Sequence, residues 1–313
     1  MKKLYPILFV LILVFSTVTA TASIKFNGEK SQLPLADPFV LLEKGIYYAY
    51  GTHSDNGIEV YTSNDLHTWH LAALALDKKN TTETRWFWAP EVYHIGNLYY
   101  MYYSANEHLY AATAKSPLGP FVQVGKEPFL AEGSIDGTLF HDDDGNYYFF
   151  FVRFNDGNNI WVARMADNLT SLRPESLHPC IHVSQDWEMD QKFPGCKVNE
   201  GPFVLKHNGK YFLSYSANHY QSRHYGVGIA TTTNIMGTWT KSPTNPILQG
   251  LNGLVGTGHH SFFLDKRGQM KMIFHAHNSL QQVDPRLSYF IDVHFSRNTI
   301  KCGKNIIVPI LKP

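Results

Sequence analysis

Apolar residues along this chain are gathered into short, aromatic-rich runs, and each run follows a turn that contains Gly. The first is Ile46-Tyr47-Tyr48-Ala49-Tyr50 after Gly45. Its counterparts are residues 98–103 after Gly96-Asn97, 147–151 after Gly145-Asn146, 211–215 after Gly209-Lys210 and 270–274 after Gly268-Gln269. Aromatic and β-branched residues favour strands, and no segment joins helical periodicity to caps over three turns, so the elements predicted are strands throughout. The copies recur roughly every fifty to sixty residues, the scale of a four-stranded propeller blade with variable loops. Each is followed by another strand and then by a turn towards an outer strand; three of these turns end in an aromatic ring, at Trp69, Phe121 and Trp239. A ring there is placed to pack between neighbouring blades. The pattern predicts an all-β, single-domain five-bladed β-propeller over residues 23–313. A single sheet of that many strands would curl or split, whereas radial repetition protects its edges. A pair of sandwiches, the competing architecture, would leave the regular copies unexplained.

At the start of the chain, Met1-Lys2-Lys3 leads into an apolar run over residues 4–15 and a small-residue segment over 16–23. That is the pattern of a signal peptide, residues 1–22, with Ala20-Thr21-Ala22 as the cleavage site. No cysteine adjoins the site, which argues against a lipid anchor, and no later run is long and apolar enough to span a bilayer. The expectation is a soluble monomer, periplasmic or secreted.

Lys and Arg number 27 against 26 Asp and Glu, so the chain carries no electrostatic footprint for nucleic acid or anionic membrane, and a neutral partner fits better. Cys180, Cys196 and Cys302 are too few for a disulfide framework, although export permits a Cys180–Cys196 bridge. The 18 Tyr, 20 Phe, 6 Trp and 16 His belong mostly to the core, but such side chains also stack on sugar rings.

In a propeller the ends of the inner strands share one funnel, so carboxylates far apart in sequence can meet there. Three acidic residues share a local grammar of acid, then Gly or Pro, then an apolar strand. They are Asp37 in Asp37-Pro38-Phe39-Val40, Asp136 in Asp136-Gly137-Thr138-Leu139-Phe140, and Glu200 in Glu200-Gly201-Pro202-Phe203-Val204. A carboxylate against apolar neighbours is costly to desolvate and is tolerated mainly at functional sites. The plainer alternative, a cap on a turn, explains one such residue better than three in step with the repeat. The run Asp142-Asp143-Asp144 before Gly145 lacks the alternating spacing of a calcium loop and reads as a solvated hairpin turn.

These segments resemble the signature motifs of glycoside hydrolase family 43. Tyr47-Tyr48-Ala49-Tyr50-Gly51-Thr52, Trp88-Ala89-Pro90-Glu91 and Gly256-Thr257-Gly258-His259-His260-Ser261 are further matches in the family's order. The resemblance implies a five-bladed propeller that hydrolyses a carbohydrate substrate with inversion at the anomeric carbon and without an organic cofactor. Carried over by position, Asp37 is the general base, Glu200 the general acid, and Asp136 the third carboxylate that raises the acid's pKa and orients it. Inverting hydrolysis asks for a base and an acid on opposite faces of the sugar, roughly 6.5–9.5 Å apart to admit a water. The resemblance also implies a largely hydrated calcium ion, Ca2+, at His259. Only one of the adjacent His259 and His260 is expected to face the channel, because strand side chains alternate. A zinc site has no motif in its favour. Arg286 resembles an arginine that reaches the floor of the site near the base, its other reading being a surface salt bridge. His53 and Trp88 either shape the sugar pocket or pack in the core.

A propeller does not by itself imply hydrolysis. A non-catalytic sugar-binding propeller would have no need for all three acids. A five-bladed retaining hydrolase of fructosides would usually show Asn before the first Asp-Pro, where this chain has Ala36, and would set its carboxyls about 5–5.5 Å apart. Within the resembled family the expected activity is release of pentose, foremost α-L-arabinofuranosyl, from plant-type polysaccharides or oligosaccharides; β-xylosidase and galactofuranosidase or galactosidase-type activities are the alternatives. The chain ends soon after the fifth copy, without room for the β-sandwich that many xylosidases append, and this favours the arabinofuranosidase.

Overall fold

The computed structural model describes residues 32–312, and within them five antiparallel sheets stand as the blades of a propeller. Blade 1 holds β1 (Ala36–Glu43), β2 (Ile46–Thr52), β3 (Gly57–Ser63) and β4 (Thr68–Asp77); blade 2 holds β5 (Trp88–Ile95), β6 (Leu98–Ala105), β7 (His108–Ala114) and β8 (Val122–Gln123). Blade 3 is β9 (Ser134–His141), β10 (Tyr147–Phe154), β11 (Asn158–Arg164) and β12 (His178–Ile181), and blade 4 is β13 (Asn199–His207), β14 (Lys210–Ala217), β15 (Gly226–Thr232) and β16 (Thr240–Lys241). Blade 5 is β17 (Gly258–Leu264), β18 (Met270–Ala276), β19 (Leu287–Ser296) and β20 (Thr299–Ile307). The first strands neighbour one another in a ring, β1 beside β5 and β17, β9 beside β5 and β13, and β13 beside β17. A last strand, β21 (Ile310–Lys312), returns to blade 1 and pairs in parallel with Thr68–His70 of β4. The expected signal peptide lies outside the described residues.

The aromatic-rich runs are the second strands, β2, β6, β10, β14 and β18. They are apolar on both faces because each is covered by the blade before and the blade after, so near-continuous burial replaces the alternation of a half-exposed sheet. One apolar cluster fills each junction between blades. Tyr50 and Met101 belong to that of blades 1 and 2, Tyr102 and Phe149 to blades 2 and 3, Phe150 and Tyr215 to blades 3 and 4, Phe212 and Phe274 to blades 4 and 5, and Tyr61 and Phe290 to blades 5 and 1. The three turn aromatics join these clusters across a junction. Trp69 stacks on Phe290 with centroids 5.8 Å apart, Trp239 meets Phe150 edge-on at 5.8 Å, and the Phe121 backbone N–H donates to Ala75 of blade 1. Each reaches the preceding blade around the ring. Trp69 is fully buried, so truncation to Ala would cost about 3–5 kcal/mol.

One expectation is corrected and one open question answered. Asp142 is not part of a solvated turn: it is buried, and its carboxylate accepts from Lys206 Nζ and from Tyr211 Oη of blade 4, each at 2.5 Å. Asp143 and Asp144 keep the hairpin chemistry, with Asp144 Oδ1 capping the Asn146 N–H. The difference arises because the hairpin leans on the next blade, where a lysine and a tyrosine compensate the desolvated charge. The cysteines Cys180, Cys196 and Cys302 are all free thiols, so the permitted bridge is not made.

Candidate active site

Near its first residues every blade's first strand slips by one residue against its second strand, between Ala36 and Phe39, Trp88 and Glu91, Ile135 and Thr138, Glu200 and Phe203, and Gly258 and His260. Within each slip one residue turns to positive φ: Asp37 (49°), Ala89 (44°), Asp136 (57°), Gly201 (53°) and His259 (39°). For a residue with a Cβ this region is strained, and such bulges collect beside active sites. Four of the turned N–H groups donate to the second strand of the preceding blade, from Asp37 to His275 Nδ1, from Ala89 to Thr52 Oγ1, from Asp136 to Ser104 Oγ and from His259 to Ser216 Oγ. In blade 3 the matching position, opposite Ile135, is Val152, which offers no acceptor. The Gly201 N–H donates instead to Asp136 Oδ2 at 3.1 Å.

The five turned residues line one small cavity at the centre of the ring together with Glu91 and His260. A wider funnel of about 460 Å³ opens against Asp37, Asp136, Glu200, Trp88, His259 and Arg286. The three acids therefore share a cavity, but not one structural position. Asp37 and Asp136 are the turned residues of their bulges, whereas Glu200 stands one place earlier, level with Trp88 and Ile135. Its Gly201 takes the turn that Asp37 and Asp136 make themselves, and a one-residue offset changes the side a strand residue faces.

Asp37 is held at both oxygens. Arg286 Nη1 donates to Oδ1 at 2.9 Å and Thr52 Oγ1 to Oδ2 at 2.6 Å. Burial pushes its pKa up, but the Arg286 guanidinium, with His259 and His275 close by, outweighs it and holds the carboxyl well below the usual range. Burial keeps His275 neutral, its pKa near 3 with the Arg286 charge adding to the effect; its Nδ1 faces the Asp37 N–H at 3.1 Å and its Nε2 faces Arg286 Nη1 at 3.4 Å.

Glu200 behaves in the opposite way. Burial raises it to about 7; Tyr225 opposes that rise through a hydrogen bond, and the charge of Asp37 adds to it. Asp136 is raised well above the carboxylate range by burial first and then by Glu200 and Asp37. The pair therefore keeps a proton up to neutral pH. Sequence reading assigned the lift on Glu200 to a charge on Asp136; here burial is the larger cause and Asp136 is itself raised. Glu91 is a further buried acid, raised to about 8 by burial, with its carboxylate bonded to Tyr93 Oη.

His259 Nδ1 lies 3.3 Å from Asp37 Oδ1 and 3.9 Å from Asp136 Oδ2. Calcium takes six to eight oxygen ligands, and among the described residues no three His, Cys, Asp or Glu side chains gather as a metal site. The nearby carboxylates already serve Arg286, Thr52 and the Gly201 N–H. A largely hydrated ion would take most of its oxygens from water, leaving His259 as its protein contact at the centre of the ring. Trp88 lines the funnel and stacks on Trp86 with centroids 5.7 Å apart. His53 is not brought to it; its Nδ1 pairs with Glu59 Oε2 at 2.8 Å. Sequence reading missed Asn158, His219 and Tyr220, which line the funnel, and Tyr225, whose hydroxyl reaches Glu200. None sits in a repeated motif, so only the fold could find them.

A propeller whose inner strands bring an ionised carboxylate and a protonated one to a single cavity has the acid and base arrangement of a glycoside hydrolase. Residues 31–290 match the glycosyl hydrolases family 43 model, and the chain belongs to that family, whose enzymes invert the anomeric centre. Among solved structures it is similar to an endo-1,4-β-xylanase from Bacteroides thetaiotaomicron, 46% identical with a TM-score of 0.87, over 90% of this chain and 98% of that one. It is 28% identical to a β-D-galactofuranosidase of Aspergillus niger, over 77% of this chain and 73% of that one. It is 32% identical to an extracellular exo-α-(1→5)-L-arabinofuranosidase of Streptomyces chartreusis, over 60% of this chain and 62% of that one. Among the described residues no helix is long and apolar enough to cross a membrane.

Proposed function

We propose that Asp37 is the general base, Glu200 the general acid and Asp136 the carboxylate that orients the acid, in hydrolysis that releases terminal α-L-arabinofuranosyl residues from plant-type polysaccharides or oligosaccharides. The observation that carries the roles is the divergence of buried carboxyls in one cavity, Asp37 held ionised beside Arg286 while Glu200 is raised to about 7. Environments that push two acids apart assign base and acid. Asp37 takes a proton from the water whose oxygen bonds to the anomeric carbon. The bond to the leaving oxygen breaks with its electron pair on that oxygen, which takes the proton of Glu200. Trp88, on the funnel wall, offers a ring face to the sugar.

The arabinofuranosyl reading draws support from the Streptomyces relative. A second reading, cleavage of β-1,4-xylosyl linkages, draws support from the 46% identical structure. Kinetics on 4-nitrophenyl α-L-arabinofuranoside, β-D-xylopyranoside and β-D-galactofuranoside, with α-1,5-arabinotriose and xylotriose beside them, separate the two. Preference for xylotriose over arabinotriose would replace the first reading by the second. Asp37→Ala and Glu200→Gln are expected to lower kcat on the preferred trisaccharide by roughly 10²–10⁴-fold; near wild-type release by either would overturn the roles. We also infer an exported monomer beginning at Ser23, which the N-terminal pattern and relatives described as extracellular support. Intact mass of protein recovered outside the cytoplasm and light scattering test it.

A further inference from the structure

Glu200 is gripped at both carboxyl oxygens. Tyr225 Oη donates to Oε1 at 2.7 Å, and Asn158 Nδ2 donates to Oε2 at 3.1 Å. The two donors come from different blades and are fixed by different neighbours. Tyr225 is fully buried, with its ring stacked on His275 at 5.6 Å and 7°. It occupies the space over Gly258, where a Cβ would stand 2.3 Å from the ring. Its turn is tied down by Ser222 and His224, which both bond Asp190. Asn158 opens β11 with its N–H on the Lys197 carbonyl at 2.8 Å, so the segment leading into Glu200 is anchored to the residue that also holds its side chain.

We propose that Tyr225 and Asn158 are positioning residues that aim Glu200 and stabilise the carboxylate it becomes when its proton leaves. The inference rests on Glu200 being the general acid. As the leaving oxygen takes the proton, negative charge appears on Oε1 and Oε2, and each oxygen already faces a donor. Hydrogen bonds to a charged group are stronger than those to a neutral one, so both contacts tighten as the proton moves and favour the transition state over the ground state. The titratable groups that face Glu200 are Asp37, Asp136, Arg286, Tyr225 and the Cys196 thiol. Tyr225 and Asn158 add no charge, and they oppose the effect of burial, keeping the acid strong enough to deliver its proton near neutral pH.

The test uses Tyr225→Phe and Asn158→Ala in the full chain, with kcat and KM measured across pH on a trisaccharide and on its 4-nitrophenyl glycoside, in the arabinose or xylose form the wild type prefers. For each variant the expected result is a kcat loss on the trisaccharide of roughly 10–100-fold with KM within about twofold. The loss on the nitrophenyl substrate is smaller, because an activated leaving group needs less protonation. The alkaline limb of the trisaccharide profile moves to higher pH, since losing a donor raises the acid's pKa. Equal losses on both substrates with an unmoved alkaline limb would reduce the two residues to packing and overturn the proposal. Should Tyr225→Phe melt early, Asn158→Ala carries the test alone. Glu200→Gln separates the failures: if it still cleaves the trisaccharide, the acid assignment itself is wrong. If it is inactive while Tyr225→Phe and Asn158→Ala match wild type, only the present inference falls.

Discussion

Arg286 of blade 5 places Nη1 2.9 Å from Oδ1 of Asp37 in blade 1, so the base is kept ionised by a charge that arrives 249 residues later in the chain. Burial pushes the pKa of this carboxyl up. The guanidinium, with His259 and His275 beside it, outweighs that push.

Arg286→Met should therefore raise the pKa of Asp37. A base must be deprotonated to act, so the acid limb of the kcat/KM profile is expected to move to higher pH, with the heaviest loss on the acid side and roughly 100-fold at neutral pH. Initial rates between pH 4 and 8 check this. An acid limb left in place would remove Arg286 from the control of the base.

Gly258→Ala should reproduce the Tyr225→Phe phenotype without touching the hydroxyl. A Cβ 2.3 Å from the Tyr225 ring must displace it, and Oη then leaves Glu200. The expected outcome is a loss of roughly tenfold or more on the trisaccharide with a lowered Tm. Unchanged kinetics would mean the ring tolerates the move.

Asp142 offers a pH test of the junction between blades 3 and 4. Burial raises its pKa, but the bonds from Lys206 and Tyr211 prevail and lower it below the ordinary value. A depressed carboxylate contributes stability above its unfolded pKa of about 3.9 and loses it as pH falls through the folded value. Asp142→Asn should lower Tm at pH 7, and the gap to wild type should close below about pH 4. Melting curves across pH 2.5–7 decide it, and a gap of constant size would assign the effect to shape instead of charge.

For the largely hydrated calcium ion proposed at His259, elemental analysis after dialysis is expected to find one equivalent, lost in His259→Ala. Well under one equivalent, with activity kept in EDTA, would remove the ion.

The blades were legible in the sequence because each second strand is covered on both faces and so reads as an unbroken aromatic run. The acids were legible because a charged residue ahead of an apolar strand breaks that pattern. Two things were not. The offset of Glu200 from Asp37 and Asp136 depends on which residue of a bulge takes positive φ, and Glu-Gly-Pro and Asp-Gly-Thr look alike as strings. Asn158 and Tyr225 reach Glu200 from 42 and 25 residues away in sequence, one at the start of a strand and one in a loop, where composition says nothing about the target. Asp142 shows the reverse error, a residue that looks solvated until the neighbouring blade brings up Lys206.

The last strand, β21, lies against β4, so the first blade made is the last one finished. During synthesis blade 1 waits through four more blades for its outer edge, and Asp37 waits equally long for Arg286. The contact between Arg286 and Asp37 forms only when blade 5 has come round to blade 1. Hydrolysis of a chromogenic sugar should thus rise as the ring closes, and stay weak in a nascent chain that has not yet reached Arg286.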